Sequence, residues 1–337
     1  MKNICELKIS TGNVDGFHRL VEPYFTMPFG LMRFDARTPH DPWLRYMIRS
    51  SSPGILAGDF YDVQVHVEKD TALGLETQAF QRVYEMNEGG RAAQNMKVTV
   101  EENGFFHYIP HPLVPHKDSV YSANNSIYLQ KSSQLIWGEV ITCGRKGSGE
   151  TFDFKSLMNH TEVFVDDKLI SKDRVLFEPR RRDITELGQL EGYTHQASLF
   201  SYAPGIDSEE LYQFLLESVK GEEEVEYGFS TTLGGGVIIR IVGNYGEQLY
   251  KIMKRIEHSI LDISIAELVQ IIYYERFFPF YCRYLSCCFT CYCRSRSSCS
   301  SGSFCYRKSQ EGMESRSFMG NRTFSWNAFD RGAISFI

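Results

Sequence analysis

Val65 to Gln78 reads VHVEKDTALGLETQ, Val98 to His111 reads VTVEENGFFHYIPH, and Ile127 to Val140 reads IYLQKSSQLIWGEV. Lined up, each stretch is a short alternating strand, a polar turn and a second strand of bulkier residues, at successive offsets of 33 and 29 residues. Such a unit cannot cover its own apolar face, so successive units are expected to stack and share one continuous core. A plain meander of strands produces similar spacing, and the repeat alone does not separate the two. Period two is the dominant pattern from Phe60 to Phe177, as where Val63, Val65 and Val67 alternate with Gln64, His66 and Glu68. That alternation marks strands buried on one face. The fold expected is mainly β, in stacked, solenoid-like strand layers.

Helical spacing enters only in the C-terminal third. Asp207 or Ser208 is placed to cap a helix over about 208–220, with Leu211, Phe214, Leu215 and Val219 on one face. Residues 225–243 read as two strands around the glycine turn at Gly234 to Gly236. Residues 245–261 predict a second helix carrying Leu249, Ile252, Met253 and Ile256. The chain thus divides into a β-rich body, 1–270, whose portion from about 195 contains the helices, and a segment 271–337 of different character. That segment holds seven of the nine cysteines, all between Cys282 and Cys305, and reads as a tail outside the fold. Adjacent cysteines such as Cys287 and Cys288 suit a single zinc centre poorly.

Hydrophobic residues make up 42% and charged residues 23%, as in an ordinary globular protein. Of the net charge of -6, the tail contributes nine Lys/Arg against four Asp/Glu, leaving -11 on residues 1–270. An acidic body argues against nucleic acid, whose phosphates reward a basic face. No apolar run of membrane-spanning length occurs, and Cys5 and Cys143 stand alone in the body, which points to a cytoplasmic protein without a disulfide framework.

Few motifs carry chemistry. The glycines at 234–236 lack the Lys-Ser/Thr of a phosphate loop, and Ser148 lacks the strand-to-helix setting of a nucleophile, so no catalytic residue is expected. His107, His111 and His116 form the one histidine-dense stretch, and imidazoles suit nickel or zinc. The prolines between them hold the backbone extended, so the rings need not converge. Polar residues in apolar strands are more informative, because a buried carboxylate requires a partner or a cation. Glu139 shares its strand face with Leu135, Trp137 and Ile141; Glu76 and Gln78 end the second strand of the first unit; Asp59 precedes its first strand.

Ser51 to Asp59 (SSPGILAGD) resembles the SPGG(L/I)xGGD element of the UreD family, also called UreH, of urease accessory proteins. Thr77-Gln78-Ala79 with Val83-Tyr84 resembles its TTQ…KVY stretch, and Ala93-Gln94 its next AxQ-like element. Pro110 to Pro115 resembles its proline-bearing strand end, Trp137-Gly138-Glu139 its WxE element, and Gly144-Arg145 with Gly149-Glu150 its GR…GE loop. Order and spacing are kept over roughly residues 20 to 265; Ala57 departs from a usual glycine, and Phe80 to Arg82 from a small-residue stretch.

The resemblance implies a non-enzymatic scaffold of urease maturation. It would bind UreF, through it the UreG GTPase, and the urease apoprotein, and offer an internal path for nickel. No tightly bound cofactor is implied, only transient nickel. Asp59, Gln78, Tyr84 and Glu139 stand within matching motifs and are the candidate path residues; Glu76 joins them on strand position alone. Weak oxygen sites would let an ion enter and leave where a Cys/His cage would trap it. The rival readings are a non-catalytic β-rich module binding carbohydrate or protein, and a metal-dependent hydrolase.

Overall fold

The computed structural model describes residues 3–14, 17–34, 43–232 and 234–262. The tail reading for 271–337, with its cysteines, lies outside these residues. Strands β1 (Asn3–Val14), β2 (Phe17–Phe25), β3 (Phe29–Arg33) and β4 (Trp43–Ser50) come first. The repeat units follow as β5 (Asp59–Val67), β6 (Ala72–Thr77) and β7 (Gln81–Val83), then β8 (Ala92–Val100), β9 (Phe105–Tyr108) and β10 (Leu113–Pro115), then β11 (Val120–Leu129) and β12 (Gln134–Ile141). After these come β13 (Ser156–Val165), β14 (Lys168–Phe177), β15 (His195–Tyr202), helix α1 (Ser208–Val219), β16 (Val225–Thr231), β17 (Gly236–Gly243) and a helix α2 over 246–262.

The stacked arrangement is the one adopted. One sheet runs β14-β13-β11-β8-β5-β1-β2 and the other β16-β17-β15-β12-β9-β6-β4-β3, so each unit gives one strand to each sheet. Pairing between successive units is parallel and falls on the repeat alignment: Val65 opposes Val98, which opposes Ile127, while Ala72 opposes Phe105, which opposes Gln134. The short β7 and β10 pair in parallel, and β10 joins β12 of the second sheet where Leu113 meets Ile141. Tight turns at equivalent places carry each coil between sheets, closed by Thr71 N–H to Glu68 O (3.2 Å), Gly104 N–H to Glu101 O (2.9 Å) and Ser133 N–H to Gln130 O (3.0 Å). Asp70 and Asn103 take the left-handed conformation these turns require, which short polar side chains tolerate. They also join one turn to the next, Asn103 Nδ2 donating to Asp70 Oδ1 at 2.8 Å.

Between the sheets, Val65, Val98, Ile127 and Val163 stack as one buried column, facing Leu73, Phe106 and Leu135 from the other side. Burying each such side chain contributes about 1.5–3 kcal/mol. The expected helices form where their signals lie. Asp207 caps α1 by accepting from Glu209 N–H, and Leu211 and Leu215 are buried, while Phe214 and Val219 are only partly covered. Ala57, where the family motif has glycine, is not among the residues with positive φ, so its methyl group costs no backbone strain. No helix among the described residues is long and apolar enough to cross a membrane.

Helix α2 buries Leu249, Ile252, Met253 and Ile256 and covers the outer face of the second sheet. Two glycines let it come close. A Cβ on Gly138 would stand 2.6 Å from Met253 Cε, and one on Gly74 would stand 2.1 Å from His107 Nε2. The His107 ring cannot step aside, because its Nδ1 bonds Glu257 Oε1 of α2 at 2.7 Å and the ring lies edge-on to Trp43. Gly74→Ala is therefore expected to lower stability by about 1–3 kcal/mol, read as an earlier urea midpoint. An unchanged midpoint would contradict this close approach.

Candidate functional site

One inward column of the first sheet changes from apolar to polar along its length. Leu7, Val63 and Met96 are followed in register by Asn125 and Thr161, and Thr161 is paired with Asp173. Glu139 meets this polar stretch from β12 of the facing sheet. Asn125 Nδ2 donates to Glu139 Oε1 at 3.0 Å, Thr161 Oγ1 donates to the same oxygen at 3.4 Å, and Asn159 Nδ2 donates to Oε2. Burial pushes the carboxyl up to about 7; the Asn159 hydrogen bond opposes this and the negative charge of Asp173 adds to it.

Glu139 also lines two small cavities. One, of about 50 Å³, is shared with Gln94, Tyr108, Tyr121, Asn125 and Asn159 and extends towards Gln81 and His111. The other, of about 20 Å³, is shared with Thr161, Ser171, Asp173 and Ser198. Each has room for water, which needs about 10–15 Å³ and two to four polar partners. Asp173, at the edge of the smaller cavity, has its carboxylate paired with the half-exposed Arg240.

Buried phenols stand around the larger cavity, Tyr108 and Tyr121 in its lining. Burial raises Tyr121 well above its usual range, and the neighbouring Tyr108, Tyr61 and Glu139 raise it further. Tyr108 is likewise raised by burial and then by Glu139, and Tyr61 by burial and then by Asp59 and Cys5. All three stay protonated and can donate as well as accept. Tyr121 Oη donates to Gln94 Oε1 at 3.4 Å. Asp59 and Glu139, each singled out from the sequence, thus act on different buried tyrosines, Asp59 on Tyr61 and Glu139 on Tyr108 and Tyr121. Asp59 also latches its own turn, accepting from Leu56 N–H at 2.9 Å and from Asn3 Nδ2 at 3.1 Å.

The remaining candidates lie elsewhere. Glu76 sits 3.8 Å from Lys254 under α2. Gln78 is exposed just past β6, its backbone N–H bonded to Ile48 O. Tyr84 lies against His116, the ring centroids 4.8 Å apart and the planes tilted by 57°. The three histidines keep separate company: His107 with Glu257, His111 with Thr77 and Tyr250, His116 with Tyr84. Burial favours a protonated Glu257, but the hydrogen bond and charge of His107, together with Lys254, outweigh it and lower the carboxyl to about 2. Among the described residues no three of His, Cys, Asp and Glu gather into a group able to hold a metal ion.

Sequence reasoning missed Tyr61, Tyr108, Tyr121, Asn125, Asn159, Thr161 and Asp173. A signal existed: extending the inward phase of Ile127 back by one alternation reaches Asn125, a polar residue in the column of Val63 and Met96.

The raised Glu139 carboxyl has a thermodynamic signature. Between about pH 4.5 and 7 the unfolded chain has lost this proton while the folded chain keeps it, so the group's contribution to stability falls as pH rises. The full difference is worth about 3 kcal/mol. Glu139→Gln is expected to remove that fall from denaturant midpoints measured across the window; a slope identical to that of the native chain would show the carboxyl to be unperturbed.

Comparison with known proteins bears on what such a core serves. A family described as UreD urease accessory protein matches residues 5–266. The urease accessory protein UreD of Flavobacterium johnsoniae is 40% identical over 258 residues, covering 76% of this chain and 92% of that protein. UreD of Haemophilus influenzae is 34% identical over 270 residues, 77% and 99% of the two chains, and that of Acetivibrio thermocellus 31% identical over 246 residues, 73% and 93%. On a family match spanning nearly all of the described body, and relatives similar over most of their length, this chain belongs to the UreD family of urease accessory proteins.

Proposed function

We propose that the chain is a non-catalytic maturation factor that bridges a UreF–UreG complex to the urease apoprotein in the cytoplasm and passes nickel through its core. The observation that carries this reading is Glu139, a carboxylate held by side-chain donors between two small cavities in the polar part of a largely apolar stack. Asn125, Asn159 and Thr161 present oxygen as well as donor atoms, and Tyr108 and Tyr121 add phenolic oxygens. Neutral oxygen ligands bind a divalent first-row ion more weakly than imidazole or thiolate. Weak successive sites suit passage, because binding must favour entry without preventing exit.

The metal is cargo in this reading and not a resident cofactor. Glu139 supplies the one carboxylate midway, and a cation arriving beside it favours the ionised form, releasing the proton that burial otherwise retains. Asp59 and Asp173 mark the two ends, while Glu76, Gln78 and Tyr84 lie off this line and serve the surface around it.

Co-expression of the chain, with and without residues 271–337, alongside UreF, UreG and urease apoprotein tests both halves of the proposal. The expected outcome is co-purification by either form and nickel-dependent urease activation. Glu139→Ala is expected to co-purify normally and to lower the rate of activation on the order of tenfold or more. Full activation by that variant in an intact complex would take the route away from Glu139, and failure of both forms to engage UreF or urease would remove the bridging role.

A further inference from the structure

A larger cleft, of about 410 Å³, opens beside the ends of β7 and β10, where Tyr84 and His116 follow them. The opposite wall comes from the loop after β12, with Arg145 and Lys146, and from His195 at the start of β15. No Asp or Glu lines it, on a body that carries a net charge of -11 over residues 1–270. Its cations are largely uncommitted. Arg82 is exposed and pairs with no carboxylate among the described residues. Lys146 Nζ donates only to neutral oxygens, Thr194 Oγ1 at 3.2 Å and Asn244 O at 3.1 Å, and rests over the Tyr245 ring. Arg145 alone is neutralised, by Glu150.

The buried wall of the cleft holds one polar atom without a partner. His116 is 4% exposed and its Nε2 has no hydrogen-bond partner. Burial, then Arg145, lowers its pKa, with Glu150 opposing and Arg82 assisting, so the imidazole stays neutral with one N–H to donate. His195 is held neutral down to about 4 by burial and by Lys146, its Nδ1 engaged by Thr194 Oγ1 at 2.8 Å. Phe80 and Tyr84 add apolar surface at the mouth.

We propose that this cleft binds a carboxylate, with Arg82 and Lys146 supplying charge, His116 the buried donor, and Phe80 and Tyr84 packing the carbon stem that bears the group. Charge-assisted hydrogen bonds from guanidinium and ammonium groups are the strong contacts available to such a ligand. The volume exceeds what a bare inorganic ion needs and suits an organic acid. The group belongs either to a free small acid or to an acidic side chain of a protein that docks here. The proposal stands apart from the nickel-path reading, since the cleft lining shares no residue with Glu139 and its two cavities.

Calorimetric titration of the full chain with glutarate, a triglutamate peptide, a triglutamine peptide and inorganic phosphate tests it. Binding of glutarate, triglutamate or both is expected, with none by triglutamine and weaker binding by phosphate. Triglutamate alone would identify the source as an acidic segment of a partner, and equal binding by glutarate would identify a free acid. Arg82→Gln and Lys146→Gln, both at exposed positions, should each weaken binding about tenfold and leave the thermal midpoint in place. In a parallel NMR titration the bound carboxylate should raise the pH at which the His116 ring titrates. Binding by neither carboxylate, binding by phosphate as tight as by either, or variants that bind like the native chain would overturn the proposal.

Discussion

In a stack of parallel coils each strand residue rests on its register partner in the coil before, and this constraint governs the central coils of the protein. Strand pairing joins Val65 to Val98 and Val98 to Ile127, so whatever occupies one position is repeated as a column through the core. A column that is apolar throughout forms a wall. One that changes character part of the way, as Leu7, Val63 and Met96 give way to Asn125 and Thr161, becomes a polar seam that neither sheet can exclude, because a one-residue slip would turn every side chain in the strand to the other face. Glu139 is stable in the interior because that seam supplies its donors, and a buried polar group left without partners would be costly.

Much of this was legible in the residues. The offsets of 33 and 29 that align VHVEKDTALGLETQ, VTVEENGFFHYIPH and IYLQKSSQLIWGEV are the offsets of the ladder pairs in both sheets. The alignment works because stacked coils must place like residues over like. Capping at Asp207 and the spacing of Leu249, Ile252, Met253 and Ile256 announce the two helices for local reasons, and local rules are read directly from sequence. Glu139 was visible by the same logic, as a carboxylate on an apolar strand face.

What stayed hidden depends on contacts across long separations. Nothing near His107 in the sequence shows that Glu257, 150 residues on, receives its Nδ1, or that Gly74 is small to make room for the ring. Asn125 lies in a run of polar residues, SANNS, where alternation is hard to phase without the buried neighbours that the structure supplies. Tyr61, Tyr108 and Tyr121 each look like ordinary core aromatics, and only the fold of the coils brings their hydroxyl groups into one field with Asp59 and Glu139. Histidine density was a poor guide for the opposite reason: closeness along an extended, proline-bearing segment sent the three rings to three different neighbourhoods.

The central claim is that the seam around Glu139 admits a divalent metal ion. Paramagnetic line broadening in the full chain tests it most directly, with the side-chain amide signals of Asn125 and Asn159 followed as nickel is added below one equivalent. The account predicts that these buried amides broaden, and that the effect fades in Glu139→Gln. Broadening confined to surface residues, with both amides unchanged, would contradict it.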